Sequence, residues 1–331
     1  MEGAEVSKVA VLGSGVIGTG WTTCFALHDR EVAIYDISQE RLDLAQKDFT
    51  SNLLFLGNKG LFSEDRIRHA ASLVRTTLSL ERAVQGVQLV QENVTENLET
   101  KQALLTAVEE AMNPDAIFAS STSGLRISDI AAKAQHAERC IGAHPYNPPH
   151  LIPLVELTKG TRTDDDTVRI AREFYLAVGK EPIVLRKEAA GFLGNRLQFA
   201  LYREVVDLVM KGVCTIEDVD KACLFGPGLR WAIMGPNLVF HLAGGRSGIK
   251  ALLEHIGPSF ERSWKDMADW KSWPADWPAV AQEGVEQEMA NRPHEFGNTV
   301  AEVARFRDDV LIELLKLHGK LPSPHSAGGN K

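Results

Sequence analysis

At about 150 residues per domain, a chain of 331 residues has room for two domains, and 44% hydrophobic against 24% charged residues are globular proportions that exclude a disordered polymer. Lys and Arg number 36 against 44 Asp and Glu, a formal net charge of −8 without a basic block, which argues against a nucleic-acid partner read through clustered cations. No apolar run approaches the roughly 18 residues of a membrane span, and the start, MEGAEVSK, lacks a basic patch followed by an apolar core, so the expectation is a cytoplasmic protein with no membrane partner.

In chain order, residues 9–12 are an apolar, β-branched run that reads as a strand, followed by a Gly-rich turn and a helix over 16–27. A second strand over 32–35 ends at Asp36. Residues 41–56 have helical spacing, with Leu42, Ala45, Phe49, Leu53 and Leu56 on one face. Further strand-like runs lie at 87–90, 116–119 and 139–143, with helix-like stretches at 98–112 and 127–134 between them. Strands alternating with helices imply βαβ units and a parallel sheet. After about residue 186 the texture changes. Residues 189–211 form one long amphipathic pattern that includes Phe192, Leu197, Leu201, Val205, Leu208 and Val209, and beyond it only helical segments with Gly/Pro punctuation are visible. The expected fold is α/β: an N-terminal, Rossmann-type doubly wound sheet over residues 1–186, then an all-α domain over 187–331. The closing LPSPHSAGGNK has little to bury and reads as a loose tail.

Cys24, Cys140, Cys214 and Cys223 are scattered without metal-type spacing and read as free thiols. Cys140 with His144 makes only two ligands, so no metal is expected.

Gly13, Gly15 and Gly18 form a GxGxxG pattern directly after a strand and at the opening of a helix. In that context the first glycine permits the turn, the second lets backbone approach a pyrophosphate, and the third lets helix and strand pack. The helix start at Val16 and Ile17 offers unpaired amides to phosphate. Asp36 follows 18 residues after Gly18. A carboxylate there accepts from ribose hydroxyls and repels a 2′-phosphate, so the expected cofactor is NAD rather than NADP. Arg41, the one nearby cation, reads as a helix-surface residue, and no second nucleotide signature favours FAD.

A second constellation follows. In 140–150, CIGAHPYNPPH, a strand breaks into a Pro-rich loop that carries His144 and Asn147, and Glu156 stands in the apolar LIPLVEL, 12 residues after His144. Oxidising an alcohol by hydride transfer needs a base for the hydroxyl proton, which a neutral imidazole supplies, and a carboxylate behind it fixes the tautomer. A glutamate among apolar residues needs a buried partner. On spacing alone, a structural histidine and a catalytic one are equally good readings.

GSGVIG, then Ser120-Ser-Thr-Ser123-Gly, then HPYNPP with PLVEL, then Ala190-Gly-Phe-Leu-Gly-Asn195-Arg together resemble the L-3-hydroxyacyl-CoA dehydrogenase family over about residues 6–245. The resemblance implies a Rossmann domain followed by a helical domain that dimerises, and an active site between the two. It makes His144 the general base and Glu156 its partner. Ser123 and Asn195 then hold the substrate oxygen, Glu96 and Lys101 lie on the nicotinamide side of the cofactor, and Asn147 supports the histidine loop. The bland alternatives are a loop cap for Ser123 and a helix-interior polar residue for Asn195.

The chain departs from the acyl-CoA pattern at HPYNP, where HFFNP is usual, and at GPGLRWAIMGP, where an Arg-Trp pair is inserted. These features are similar to the λ-crystallin (L-gulonate 3-dehydrogenase) and L-carnitine dehydrogenase branch, and FHLAGGRSGIKALLEHIGPSFERSW sits closer to the carnitine side. Arg230 could pair bidentately with a free carboxylate, which a CoA thioester lacks; the alternative is a surface arginine. Trp231, Trp264, Trp270, Trp273 and Trp277 crowd the stretch 231–277. Aromatic faces attract a quaternary ammonium by about 0.5–2 kcal/mol each, although most of these tryptophans read as helix packing or a dimer interface and only Trp231 as a pocket residue. The expectation is a homodimeric, NAD-dependent dehydrogenase of a small free L-3-hydroxy acid. Its rivals are a true (S)-3-hydroxyacyl-CoA enzyme, a non-enzymatic structural protein and an NAD sensor.

Overall fold

The structure is a computed structural model and describes residues 6–321, so the tail expected at the C-terminus lies outside the described residues except for Leu321. The chain divides between Asn195 and Arg196 into two compact units. The last strand closes at Leu185.

The first unit is built on eight strands: β1 (Lys8–Leu12), β2 (Glu31–Tyr35), β3 (Val74–Thr77), β4 (Leu89–Glu92), β5 (Ile117–Ser120), β6 (Cys140–Pro145), β7 (Leu154–Lys159) and β8 (Glu181–Leu185). Their order is β3-β2-β1-β4-β5-β6-β7-β8, and every pairing is parallel except β6 with β7. The strand order turns back between β1 and β4, the switch point where open α/β sheets bind ligands at the C-terminal strand ends. β1 shows why the sheet is doubly covered. Val9 and Val11 enter one core with Trp21, Phe25, Phe174 and Tyr175, while Ala10 and Leu12 enter the other with Leu105, Val108 and Phe118. Successive strand residues alternate faces, so a continuous apolar run demands helices on both.

α1 (Val16–Leu27) and α2 (Gln39–Asn58) match the expected helices, and α2 buries Leu42, Ala45, Phe49, Leu53 and Leu56 as its periodicity requires. β3 and β8 carried no readable signal, because both are edge strands with largely uncovered side chains, and β8 includes a proline tolerated only at an edge.

The helix expected over 189–211 instead spans Gly194–Met210. Gly191 and Phe192 precede it in the left-handed region at φ 74° and 50°, and the Phe192 ring is buried. A turn at positive φ leaves no trace in hydrophobic spacing, so the periodicity ran through it.

The second unit, taken by itself, is helical: Ile216–Cys223, Pro236–Ala243, Gly248–Trp264, Trp277–Asn291 and Val300–Leu317 are its main further helices. Thr215 with Asp218, and Thr299 with Glu302, form reciprocal capping boxes at two of their starts. Its small core gathers Val206, Ile216 and Trp277. Among the described residues, no helix is long and apolar enough to cross a membrane.

Candidate active site

The turn after β1 has the shape that dinucleotide binding asks of it. Gly13 takes φ 92°, where a side chain would be strained, and a Cβ on Gly18 would run into the Gly13 carbonyl. A Cβ on Gly15 would meet nothing within 4 Å, so the protein itself does not require that glycine; an approaching pyrophosphate does. Gly15 caps α1 without a side-chain hydrogen bond, and the first-turn amides of Val16 and Ile17 stay available to an anion. Asp36 follows β2, and Ser14 donates to it from its amide (3.0 Å) and its hydroxyl (2.7 Å). Burial works to raise the Asp36 carboxyl, but the Ser14 groups and the Ile37 and Ser38 amides outweigh it, so the acid is held below its ordinary value. An ionised acceptor beside a glycine turn with an open backbone fits the ribose and pyrophosphate of NAD.

A carboxylate network lies along the strand ends. Lys101 is 1% exposed, and its ammonium donates to Glu92 (2.6 Å) and to the Val94 carbonyl, with Glu96 at 3.4 Å. The ammonium is thus enclosed, and whatever Lys101 does for a ligand passes through Glu96. Glu92, unforeseen in the sequence, is fully buried and also accepts from the Ser120 hydroxyl. Glu96 accepts from the Thr122 hydroxyl (2.6 Å) and from the amides of Ser123 (2.9 Å) and Gly124 (3.0 Å). Burial pushes Glu96 up, yet these donors and the Lys101 charge hold it below the ordinary range. Ser123 is thereby fixed with its backbone on a carboxylate and its side chain exposed.

The antiparallel register of β6 and β7 sets His144 directly opposite Glu156, which explains the 12-residue spacing: the two are cross-strand partners joined by residues 146–153. His144 Nδ1 donates to Glu156 Oε2 at 2.8 Å, and Glu156 Oε1 accepts from the amides of Leu193 (2.8 Å) and Gly194 (2.9 Å). Glu156 is fully buried. Burial raises its carboxyl, but the three donors more than offset this, and it stays ionised below its ordinary value. The bond to Nδ1 fixes the tautomer and leaves Nε2 as the ring's acceptor. Tyr146 and Phe192 flank the imidazole at 5.3 and 5.4 Å between centroids. Burial first, then the Glu156 charge, pushes the Tyr146 hydroxyl up to about 12, so it remains a donor, here to Asn195 Oδ1 at 3.2 Å. Asn195 Nδ2 reaches the Ser123 carbonyl at 3.5 Å. The structure therefore gathers His144, Glu156, Asn195 and Ser123 into one chain of contacts.

Four of these partners carry no readable signal in the sequence. Phe192 fits the helical spacing of 189–211, Tyr146 stands in the Pro-rich loop without a pattern of its own, and the Leu193 and Gly194 amides have no side-chain signature. Asn147, expected to support the histidine loop, is exposed and has no hydrogen-bond partner among the described residues.

Arg230 and Trp231 belong to the second unit, on the short helix Leu229–Trp231. Both are exposed, and Arg230 has no ion pair among the described residues. The tryptophans of 264–277 divide: Trp277 is buried, Trp270 donates its indole N–H to Asp207 (3.1 Å), and Trp264 and Trp273 are exposed. Phe199, Tyr202, Trp270 and Trp273, with Arg203 and Lys271, line an open concavity of about 620 Å³ within this unit. Among the described residues, no group of three His, Cys, Asp or Glu is placed to hold a metal ion.

Residues 8–189 match the family model described as 3-hydroxyacyl-CoA dehydrogenase, NAD binding domain, and residues 191–275 match its C-terminal domain. The chain is 37% identical to an L-carnitine dehydrogenase of Streptomyces coelicolor, covering 96% of both chains, and 36% identical to one of Bacillus cereus, covering 95% of this chain and 93% of that one. Among solved structures it is similar to the NAD+-dependent 5-formyl-3-hydroxy-2-methylpyridine 4-carboxylic acid 5-dehydrogenase, with a TM-score of 0.74 at 27% identity over 95% of this chain and 97% of the other.

Proposed function

The chain belongs to the 3-hydroxyacyl-CoA dehydrogenase family and is an NAD-dependent dehydrogenase, and from that premise we propose that it oxidises the 3-hydroxyl of a small free L-3-hydroxy acid of the L-carnitine or L-gulonate type, with His144 as general base. The observation that carries the mechanistic half is the His144–Glu156 pair: a buried, ionised carboxylate on Nδ1 and an available Nε2. Residues 1–186 act as the NAD-binding domain and 187–331 as the substrate and dimerisation domain.

Gly13, Gly15, Val16, Ile17 and Gly18 would hold the pyrophosphate of NAD and Asp36 its ribose, with Glu96, Ser123 and Asn147 toward the nicotinamide and Lys101 behind Glu96. When bound, NAD supplies the acceptor for the hydride that leaves C3. His144 Nε2 takes the C3 hydroxyl proton, and the imidazolium so formed is stabilised by Glu156, whose other oxygen is already saturated by two amides. In reduction the same imidazolium returns the proton. The Ser123 hydroxyl and the Asn195 amide hold the substrate oxygen, and Tyr146, which stays protonated, orients Asn195.

Three observations support a free acid. Arg230 is an exposed guanidinium with no ion pair among the described residues, suited to a carboxylate. The relatives that match nearly end to end bear the name of L-carnitine dehydrogenase, and the similar solved structure is named for a carboxylic acid. A homodimer through the helical unit is supported by the large apolar side chains that unit exposes, among them Leu197, Phe199, Phe225 and Ile233.

The test is NADH formation with L-carnitine, L-gulonate, L-3-hydroxybutyrate and (S)-3-hydroxybutyryl-CoA, each with NAD and with NADP. Turnover of a free acid with NAD is expected. Turnover of the thioester alone would replace the substrate reading with the acyl-CoA activity.

A further inference from the structure

Residues 146–153 join the strand bearing His144 to the strand bearing Glu156, and three of them, Pro148, Pro149 and Pro153, have no N–H to give. The Leu151 and Ile152 amides both go to the Pro148 carbonyl, and the Pro153 carbonyl accepts from the Glu181 amide. Buried backbone carbonyls require donors, and this connection has few of its own.

Lys180 supplies them. It stands immediately before β8 and is 4% exposed. Its ammonium donates to the Pro149 carbonyl and, at 3.0 Å, to the Ile152 carbonyl. The Trp21 ring of α1 lies 5.2 Å away, so that the cation faces an aromatic surface on its remaining side. Among the described residues no carboxylate pairs with it. From the other side the Pro149 ring rests on α1 at Gly20, where an added Cβ would lie 2.6 Å from Pro149 Cδ. The helix that begins at the nucleotide turn therefore carries the floor on which the connection sits, and Lys180 ties the connection down.

A buried ammonium with no carboxylate beside it costs desolvation, and an unbranched apolar side chain is often neutral or stabilising in such a place. What an apolar residue cannot do is hold two carbonyls. We infer that Lys180 is a positioning residue for the oxidation: by fixing the Pro149 and Ile152 carbonyls against Gly20 of α1, it sets the connection that presents Tyr146 beside His144 and, through Tyr146, orients Asn195. The inference rests on the proposed roles of His144 and Asn195 and adds a residue that acts only through them.

Lys180→Met keeps an unbranched apolar stem in place of the lysine methylenes and removes the donors. The measurement is turnover of L-carnitine per NADH-binding site, which a mere loss of folded enzyme does not move, together with the NADH dissociation constant. We expect Lys180→Met to lower turnover per site by about tenfold or more, with NADH affinity within about threefold of wild type, because small misplacements of reacting groups are costly to the chemical step. Turnover per site within about twofold of wild type overturns the inference. Gly20→Ala pushes the same connection from beneath without touching the lysine. It is expected to lower turnover per site likewise, and full turnover per site in that variant overturns the inference even if Lys180→Met does not fold. Should wild type act only on (S)-3-hydroxybutyryl-CoA, the substrate reading fails and the same comparison is made on that thioester. His144→Gln, run in parallel, reports on the base separately.

Discussion

At the strand ends that carry the candidate site, the buried carboxylates of the first unit are surrounded by donors. Glu156 has three donors, Glu96 has hydroxyl and amide donors from the Ser123 loop, and Lys101 is closed in by Glu92, Glu96 and a carbonyl. The second unit is the opposite: Leu197, Phe199, Phe225, Ile233 and Leu242 face solvent, and Arg230 has no partner among the described residues. A saturated network holds charges in fixed ionisation states, whereas uncovered apolar and cationic groups are open to contact from outside the chain. The proposed function accordingly assigns reaction and cofactor to the first unit, and substrate choice and self-association to the second.

The sharpest way to break the first half of that contrast is His144→Gln. Turnover per NADH-binding site is expected to fall by about 10²–10⁴-fold, the usual worth of a general base, while NADH titration stays within about threefold of wild type. Wild-type turnover would remove the base assignment. Asp36→Ala comes next: loss of a charged acceptor should weaken NADH by about 10- to 100-fold, read by fluorescence titration, with kcat at saturating cofactor largely kept.

The second half is probed by charge on the uncovered surface. Leu197→Glu with Phe225→Glu should convert a dimer to a monomer in sedimentation velocity while leaving NADH binding within about twofold. A wild-type monomer would contradict the dimer, and an unchanged dimer in the variant would place its interface elsewhere.

The smallest effect is an acid-stability signature. The folded state holds Glu156 below its ordinary value of 4.5, so its ionised form contributes stability above that pH, and the contribution is lost as pH falls through the lower folded value. Glu156→Gln should therefore be less stable by about 1–3 kcal/mol at neutral pH. Denaturant midpoints of variant and wild type should converge as pH drops below 4.5, and a constant gap would show that Glu156 is not held ionised.

How much of this was legible in the sequence follows the same division. Apolar runs, the glycine turn and Asp36 were readable because backbone geometry and burial dictate residue type there, and β1, α1 and α2 lie where the periodicity put them. The pairing of His144 with Glu156 was readable only as a need of a buried glutamate, since the strand register that sets them face to face is a property of the sheet. What could not be read was backbone acting as a functional group. The Leu193 and Gly194 amides on Glu156, the Phe192 turn at φ 50° and the Pro149 carbonyl on Lys180 leave no mark on side-chain spacing. Lys101 shows the same limit in another way, for a lysine in a helical stretch gave no hint that its ammonium would be enclosed.

The central claim, that chemistry and substrate choice reside in different units, is tested most directly by one ratio: kcat/KM for L-carnitine over kcat/KM for (S)-3-hydroxybutyryl-CoA, in wild type and in Arg230→Ala. Loss of a charge-assisted carboxylate contact should lower the ratio by about tenfold or more, through KM for the free acid, while kcat at saturation is kept. A ratio unchanged by the substitution, or a fall in kcat with both substrates alike, would contradict it.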